Sequence, residues 1–193
     1  MLITIDKSLS DRIWFTADSH FGHANIIKFC NRPFVDIDEM DATLIDNWNK
    51  VVRPEHTVFH LGDLTLGDQT MAHHYLTQLN GNIHILANPW HHDKRWINNY
   101  PGMYTKHGEI EILPPMGVAE MPYGEGHPHS ITLCHYPIAE WDRKHHGAWC
   151  LHGHSHGKHK GEGYIFDVGV DNTNFYPINL GGIFDVMFGM GWA

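Results

Sequence analysis

Cysteine is scarce in this chain: Cys30, Cys134 and Cys150 form an odd, scattered set with no C-x-x-C spacing. That pattern excludes a disulfide framework and a zinc ribbon, and it fits a reducing compartment. Positive charge is thin too, with 13 Lys and Arg against 22 Asp and Glu for a formal net charge of -9. No run of basic residues forms a stripe. A protein that grips long DNA or RNA usually carries the opposite sign on its contact face, so the charge weighs against long nucleic acid as a partner. No stretch approaches the ~20 apolar residues of a membrane helix. Residues Met1–Ser10 lack the basic-then-apolar layout of a signal peptide, which by default points to the cytoplasm. At 193 residues, 42% hydrophobic and 18% charged, the chain is expected to form one globular domain over 1–193.

Histidine is present in excess, 19 residues of 193. These residues cluster at 20–23, 91–92, 127–135, 145–146 and 152–159, interleaved with Asp, Asn and Gly. Imidazole is the commonest protein metal ligand and carries protons near neutral pH. The composition alone therefore directs attention to a metal site.

Hydrophobic patterning predicts short strands over 12–17, 57–61, 82–87, 130–134, 148–151 and 164–170. Helices are expected over 24–30, 38–52 and 69–79, the second opened by Asp36 with capping-box spacing to Glu39. Between Gly108 and Leu133, two short strands are expected to flank a loop at 114–128. Asp18, Asp63, Asn88, His135 and the His152–His156 group each follow a short apolar run. Groups at the ends of neighbouring strands converge on one rim, where ligands bind.

A two-metal phosphoesterase needs cations roughly 3.5–4 Å apart, bridged, held rigidly and left with open positions. A carboxylate bridges through its two oxygens, while imidazole and amide donors fill terminal positions without adding charge. The available donors are Asp18 and His20 of D-S-H, Asp63 of G-D, Asn88, His135 of C-H-Y-P, and His154 with His156 of G-H-S-H. On an extended backbone, residues i and i+2 face the same side, so D-S-H and H-S-H are each expected to present a pair to one site. Gly62 and Gly153 remove bulk beside the donors. With two Asp against two divalent ions, the site keeps a positive balance that attracts a phosphate ester inside an acidic protein.

The ordered set D-x-H, G-D, N-…-H-D, H and G-H-x-H resembles the calcineurin-like metallophosphoesterase superfamily over Asp18 to His156. The strings WFTADSHFGHANIIKFCNRPF, HYPIAEW and LHGHSHG resemble its small bacterial and phage members more closely. The resemblance implies an α/β fold of four layers, α-β-β-α, with two central mixed sheets. It implies Asp18, His20, Asp63 and His156 on a first metal, and Asp63, Asn88, His135 and His154 on a second. Ala87-Asn88-Pro89-Trp90-His91-His92-Asp93 departs from the family's G-N-H-D. Matching from the preceding strand makes Asn88 the ligand and His92 the acid for the leaving oxygen. Matching from His92-Asp93 puts His91 in the Asn position.

The expected activity is hydrolysis of a phosphate ester, as a phosphodiesterase or phosphatase, by in-line attack of a metal-bridging hydroxide. The expected cofactors are two divalent ions, Mn first, with Fe, Ni, Co or Zn as substitutes. The expected partner is a small phosphorylated, nucleotide-like substrate, touched by His23, Asn25 and Arg32 and selected by loops at 21–34 and 114–129. His23 competes with a plain helix-capping role, Arg32 and Arg95 with surface ion pairing, and Asp167 and Asp171 with turn formation. A non-catalytic interaction module and a nuclease are the alternatives.

Overall fold

Alternation along the strands divides the buried side chains between two faces. The protein, seen here as a computed structural model, is described over residues 1–86, 92–98, 100, 102–105, 107–121 and 129–189. Its elements run β1 (Leu2–Thr4), β2 (Ile13–Thr16), α1 (Ala24–Phe29), α2 (Ile37–Val51), β3 (Thr57–His60), α3 (Gln69–Leu76), β4 (Asn82–Leu86) and β5 (Met103–Thr105). They continue β6 (Gly108–Leu113), β7 (Met116–Met121), β8 (His129–Cys134), β9 (Trp149–His152), β10 (Ile165–Asp167), β11 (Ile178–Asn179) and α4 (Leu180–Gly189). A 3-10 turn at His92–Arg95 follows β4.

Six strands form one mixed sheet in the order β11-β2-β3-β4-β6-β5, and five form a second in the order β1-β7-β8-β9-β10. Trp14, Val58 and Ile83 point to the helix side, where Met40, Leu44 and Trp48 of α2 and Ala72 and Leu76 of α3 cover them. Ile13, Phe15 and Phe59 point the other way and meet Ile131, Leu133, Trp149 and Leu151 of the second sheet. The two sheets are thus packed face to face. Leu180, Ile183 and Met187 of α4 join that inner cluster. The far face of the five-stranded sheet carries Cys134, Cys150 and Ile165 under Ile138, Trp141 and Ala148, a small cluster to which no α-helix of the described residues contributes.

Register matters most for the site. Thr16 pairs with His60 and His60 with Ile85, all in parallel, so β2, β3 and β4 end level. Leu133 of β8 likewise lies beside Leu151 of β9. The loops that follow run side by side: Asp18 N–H donates to Gly62 O, His20 N–H to Asp63 O and Gly153 N–H to His135 O, each at 3.0 Å. Ala17 forms a bridge to Gly169 beyond β10, which joins the ends of the two sheets.

The structure revises parts of the expected pattern. Only Pro114 and Pro115 separate β6 from β7, so the expected loop at 114–128 holds a strand that pairs with β1 on one side and β8 on the other. Its flanking Pro and Gly masked a pairing that only long-range partners reveal. The helix expected over 69–79 ends at Leu76, and the strand expected over 164–170 contracts to Ile165–Asp167. β1, β5, β11 and α4 were not anticipated. The Gly181-Gly182 pair in α4 reads locally as a breaker, and packing against the inner cluster overrides it. The cap of α2 is met: Asp36 accepts from Glu39 N–H at 2.9 Å, while the Glu39 carboxylate reaches back to Val35 N–H at 2.6 Å. No helix of the described residues is long and apolar enough to cross a membrane.

Candidate metal centre

The level strand ends bring two groups of donors together. Asp18, His20 and His156 offer atoms within 4.8 Å of one another, and Asp63, His135 and His154 do the same. Asp63 connects them, its Oδ2 lying 3.6 Å from His20 Nε2 and 3.4 Å from His135 Nε2. A third triple, His20, Asp63 and His92, places His92 at the same cluster from the 3-10 turn after β4. Asn88 and His91 lie outside the described residues.

The donors are not aimed by an extended backbone. Asp18, His20, Asp63, His154 and His156 all have positive φ, between 48° and 66°. D-S-H and H-S-H therefore converge through left-handed turns, not through the i, i+2 side of a strand as expected. Each such residue costs of order 1 kcal/mol, and strain of this kind gathers at functional sites. Gly62, at φ 114°, precedes Asp63. A Cβ on Gly153 would sit 2.8 Å from Asp18 Oδ2 and 2.5 Å from Ala17 Cβ, so this position must be glycine for the loops to close.

Hydrogen bonds fix which ring nitrogens face inward. His135 Nδ1–H donates to Leu61 O at 3.0 Å, since a carbonyl can only accept. His156 Nδ1 holds the Asp171 carboxylate at 2.7 Å. Such partners set the tautomer and leave Nε2 with its lone pair, as metal-binding imidazoles require. The Asp18 carboxylate accepts His154 N–H with both oxygens, at 3.0 and 2.8 Å. Asp93, fully buried, accepts from the backbones of Asp63, Leu64 and Thr65 and from the Trp96 indole, clamping the Asp63 loop to the 3-10 turn that carries His92. Asp167 does the same for the histidine loop, accepting from Ser155 Oγ at 2.6 Å and Gly157 N–H at 2.8 Å.

Electrostatics show what the cluster lacks as built from protein alone. Burial, reinforced by Asp63 and Asp167, pushes the Asp18 carboxyl well above the usual carboxylate range. Burial pushes His20 well below the usual histidine range, against the pull of Asp63. Neither ring nitrogen of His20 makes a hydrogen bond among the described residues, although the side chain is buried. A buried imidazole with idle nitrogens is costly. Here it stands beside the Asp18 and Asp63 carboxylates, a donor set whose chemistry suits a divalent cation.

Three expectations about the rim change. Arg32 is buried and makes no substrate-facing contact. Its Nε and Nη2 form a bidentate pair with Asp171, both at 2.8 Å, while Nη2 and Nη1 also donate to Asp18 O and Ser19 O. It anchors the Asp18 loop instead of touching a ligand. Asp171, expected to shape a turn, links that arginine to His156. Burial would raise its carboxyl, but the His156 and Arg32 hydrogen bonds hold it at about 2. His23 occupies the N-cap of α1 without a side-chain cap hydrogen bond, and its ring faces His20 and His92 at 5.6 and 6.2 Å. Burial lowers its basicity. Asn25 is exposed in the first turn of α1.

A cleft of about 390 Å3 opens over the cluster, lined by Asp63, Leu66, His92, Lys94, Arg95, Tyr136 and His154. Tyr136, exposed at the rim, stands edge-on to His154 at 4.5 Å. Lys94 carries no signal in the sequence beyond its charge, whereas Arg95 is there a candidate phosphate contact in competition with surface ion pairing.

The fold and site define a mixed α/β protein with two packed sheets and a histidine–aspartate cluster at their strand ends. No protein-family profile matches the sequence. The chain belongs to the family of the uncharacterized protein MJ1445 of Methanocaldococcus jannaschii, to which it is 34% identical over 180 residues, covering 88% of this chain and 87% of the relative. It is also 28% identical to the gene 66 protein of Mycobacterium phage L5 over 171 residues, 74% of this chain and 76% of that one. The gene 66 protein of Mycobacterium phage D29 is 23% identical over 160 residues, 76% of this chain and 79% of that one. The crystal structure of the protein of unknown function AQ665 from Aquifex aeolicus shares the fold, with a TM-score of 0.65 at 22% identity over 90% of this chain and 98% of that one.

Proposed function

We propose that the chain is a two-metal phosphoesterase of the calcineurin-like metallophosphoesterase kind, a phosphodiesterase or phosphatase built on two packed mixed sheets, with helices covering the outer face of the six-stranded one and, in place of the fourth layer that the resemblance implies, no α-helix of the described residues on the outer face of the five-stranded one. The observation that carries the reading is the position of Asp63, one carboxylate oxygen of which lies within 4 Å of imidazoles from both donor groups. Asp18, His20, Asp63 and His156 would hold one ion, and Asp63, His135 and His154 the other, with Asn88 as its further donor. The mixed N/O set suits Mn2+ first and accepts Fe, Ni, Co or Zn. Bound there, two divalent ions supply charge for the phosphoryl oxygens and a hydroxide near neutral pH.

The protein's own contributions follow from the geometry. Asp171 and the Leu61 carbonyl hold His156 and His135 in the tautomers that present Nε2. Asp93 keeps the Asp63 loop and the His92 turn as one unit. His92, exposed at the cleft, is placed to give a proton to the departing oxygen. His23, on the rim, is placed to meet a phosphoryl oxygen. The substrate is a small phosphate ester that enters from the cleft.

The protein should bind two Mn2+ per chain and hydrolyse bis(p-nitrophenyl) phosphate. Two bound ions with no turnover of mono- or diesters under any of the five metals would end the catalytic reading. His92→Gln should lower turnover by about 10²–10⁴-fold while leaving metal content unchanged.

A further inference from the structure

The 3-10 turn His92–Arg95 delivers more to the cleft than a proton donor. Its first residue reaches the donor cluster, its second clamps the Asp63 loop, and its last two, Lys94 and Arg95, both line the cleft. Both are exposed, and neither has an ion-pair partner among the described residues. Among the described residues, the only carboxylate on the cleft wall is Asp63, which faces the donor groups. In a chain of net charge -9 with only 13 Lys and Arg, two adjacent unpaired cations beside the site are a local reversal of sign. The remaining wall is Leu66 and the Tyr136 ring, the latter held edge-on by His154.

Two divalent ions already exceed the charge of Asp18 and Asp63, so the scissile phosphate does not require further cations. We propose that Lys94 and Arg95 recognise a second anionic group on the substrate, a phosphate set apart from the one being cleaved, with a flat ring against Leu66 and Tyr136. This rests on the phosphoesterase reading and narrows its substrate class to nucleotides carrying two separate phosphate groups. Arg and Lys hold phosphate oxygens by charge-assisted hydrogen bonds, the former in a bidentate fork. The cleft, at about 390 Å3, has the size of a single small-ligand pocket. The adjacent phosphate of a polynucleotide offers the same chemistry, but the chain's net charge of -9 disfavours a long polyanion.

The matched probes are adenosine 3′-phosphate and adenosine 3′,5′-bisphosphate, which differ only in the second anion. Calorimetric titration of the intact protein at saturating Mn2+ should show the bisphosphate bound about tenfold tighter. In K94A/R95A, exposed changes that leave the fold intact, that preference should fall to within about twofold. Where turnover consumes the ligand, the ratio of KM values replaces the ratio of Kd values. Equal affinity for the two probes in the wild type, or a preference that survives in the double variant, overturns the proposal. An oligonucleotide of ten residues that outcompetes the bisphosphate overturns it in favour of a polymer. The binding readout is independent of turnover: a protein that prefers the bisphosphate and cleaves nothing retains this inference and loses the catalytic one.

Discussion

Two regions of the molecule lie on the same strands and differ in almost everything else. Phe15, Phe59, Leu133 and Leu151 pack between the sheets, and two to four residues further along each strand stand Asp18, Asp63, His135 and His154. The inner cluster is apolar and its strands regular, so burial stabilises it by about 25 cal/mol per Å2 of apolar surface. At the rim, Asp18, His20, Asp63 and His135 are as deeply buried as the core, yet each is polar and three of them are strained at positive φ. Burying such groups costs free energy unless each finds a partner. The core thus accounts for the fold, and the rim gathers the groups on which the proposed metal centre rests.

Breaking the rim at its shared carboxylate is the largest test. Asp63→Ala should lower turnover by about three orders of magnitude, roughly 4 kcal/mol of barrier. Metal content, read by elemental analysis, should fall below two per chain. Retained metal and activity would mean that the two donor groups are not joined through Asp63.

Next in size is the anchor beneath the rim. Asp171→Ala leaves the buried Arg32 guanidinium without its carboxylate and should cost about 3 kcal/mol in urea unfolding at pH 7. The sign with pH follows from Asp171 being held at about 2 against an ordinary 3.8. Its contribution is present above pH 3.8 and is lost as pH falls through 2, so about 2 kcal/mol of the difference should vanish over that window. A difference that grows on acidification would contradict the assignment. Because Asp171 also holds His156, metal affinity should fall in the same variant.

Legibility in the sequence divided along the same line as the chemistry. The donors Asp18, His20, Asp63, His135, His154 and His156 were readable because each closes an apolar run, and strand ends collect on one rim. How they converge was not readable, since left-handed φ at non-glycine residues has no compositional signature. Arg32 was misassigned to the substrate because its partner Asp171 is 139 residues away, a contact that no local pattern encodes. Strand β7 was hidden for the same reason, its identity resting on β1 and β8 as neighbours. Helices α1, α2 and α3 and strands β2, β3 and β4 were visible because amphipathic spacing and apolar runs are local; the parallel pairing of the strands was not.

The core half of the comparison is tested away from the rim. Ile131→Ala, at a fully buried position between the sheets, should destabilise by about 2.5 kcal/mol through lost transfer energy and residual cavity. Metal stoichiometry should stay at two. If metal binding falls in step with stability, the rim is not an independent unit and the division between the regions is too sharp.

The smallest expected effect asks whether the helical layer feels the rim at all. Asp36 caps α2 through Glu39 N–H, and Asp36→Ala should cost about 1 kcal/mol. Among the described residues one hydrogen bond joins α2 to the anchor, Arg32 Nη1 to Met40 Sδ at 3.4 Å. That is a weak sulfur acceptor, and the guanidinium already has Asp171 and two carbonyls. The double variant with Asp171→Ala should therefore be additive within about 0.5 kcal/mol in urea unfolding. A larger coupling would mean that the start of α2 helps to set Arg32, and through it the Asp18 loop, which would extend the strained region from the strand ends into the helical layer.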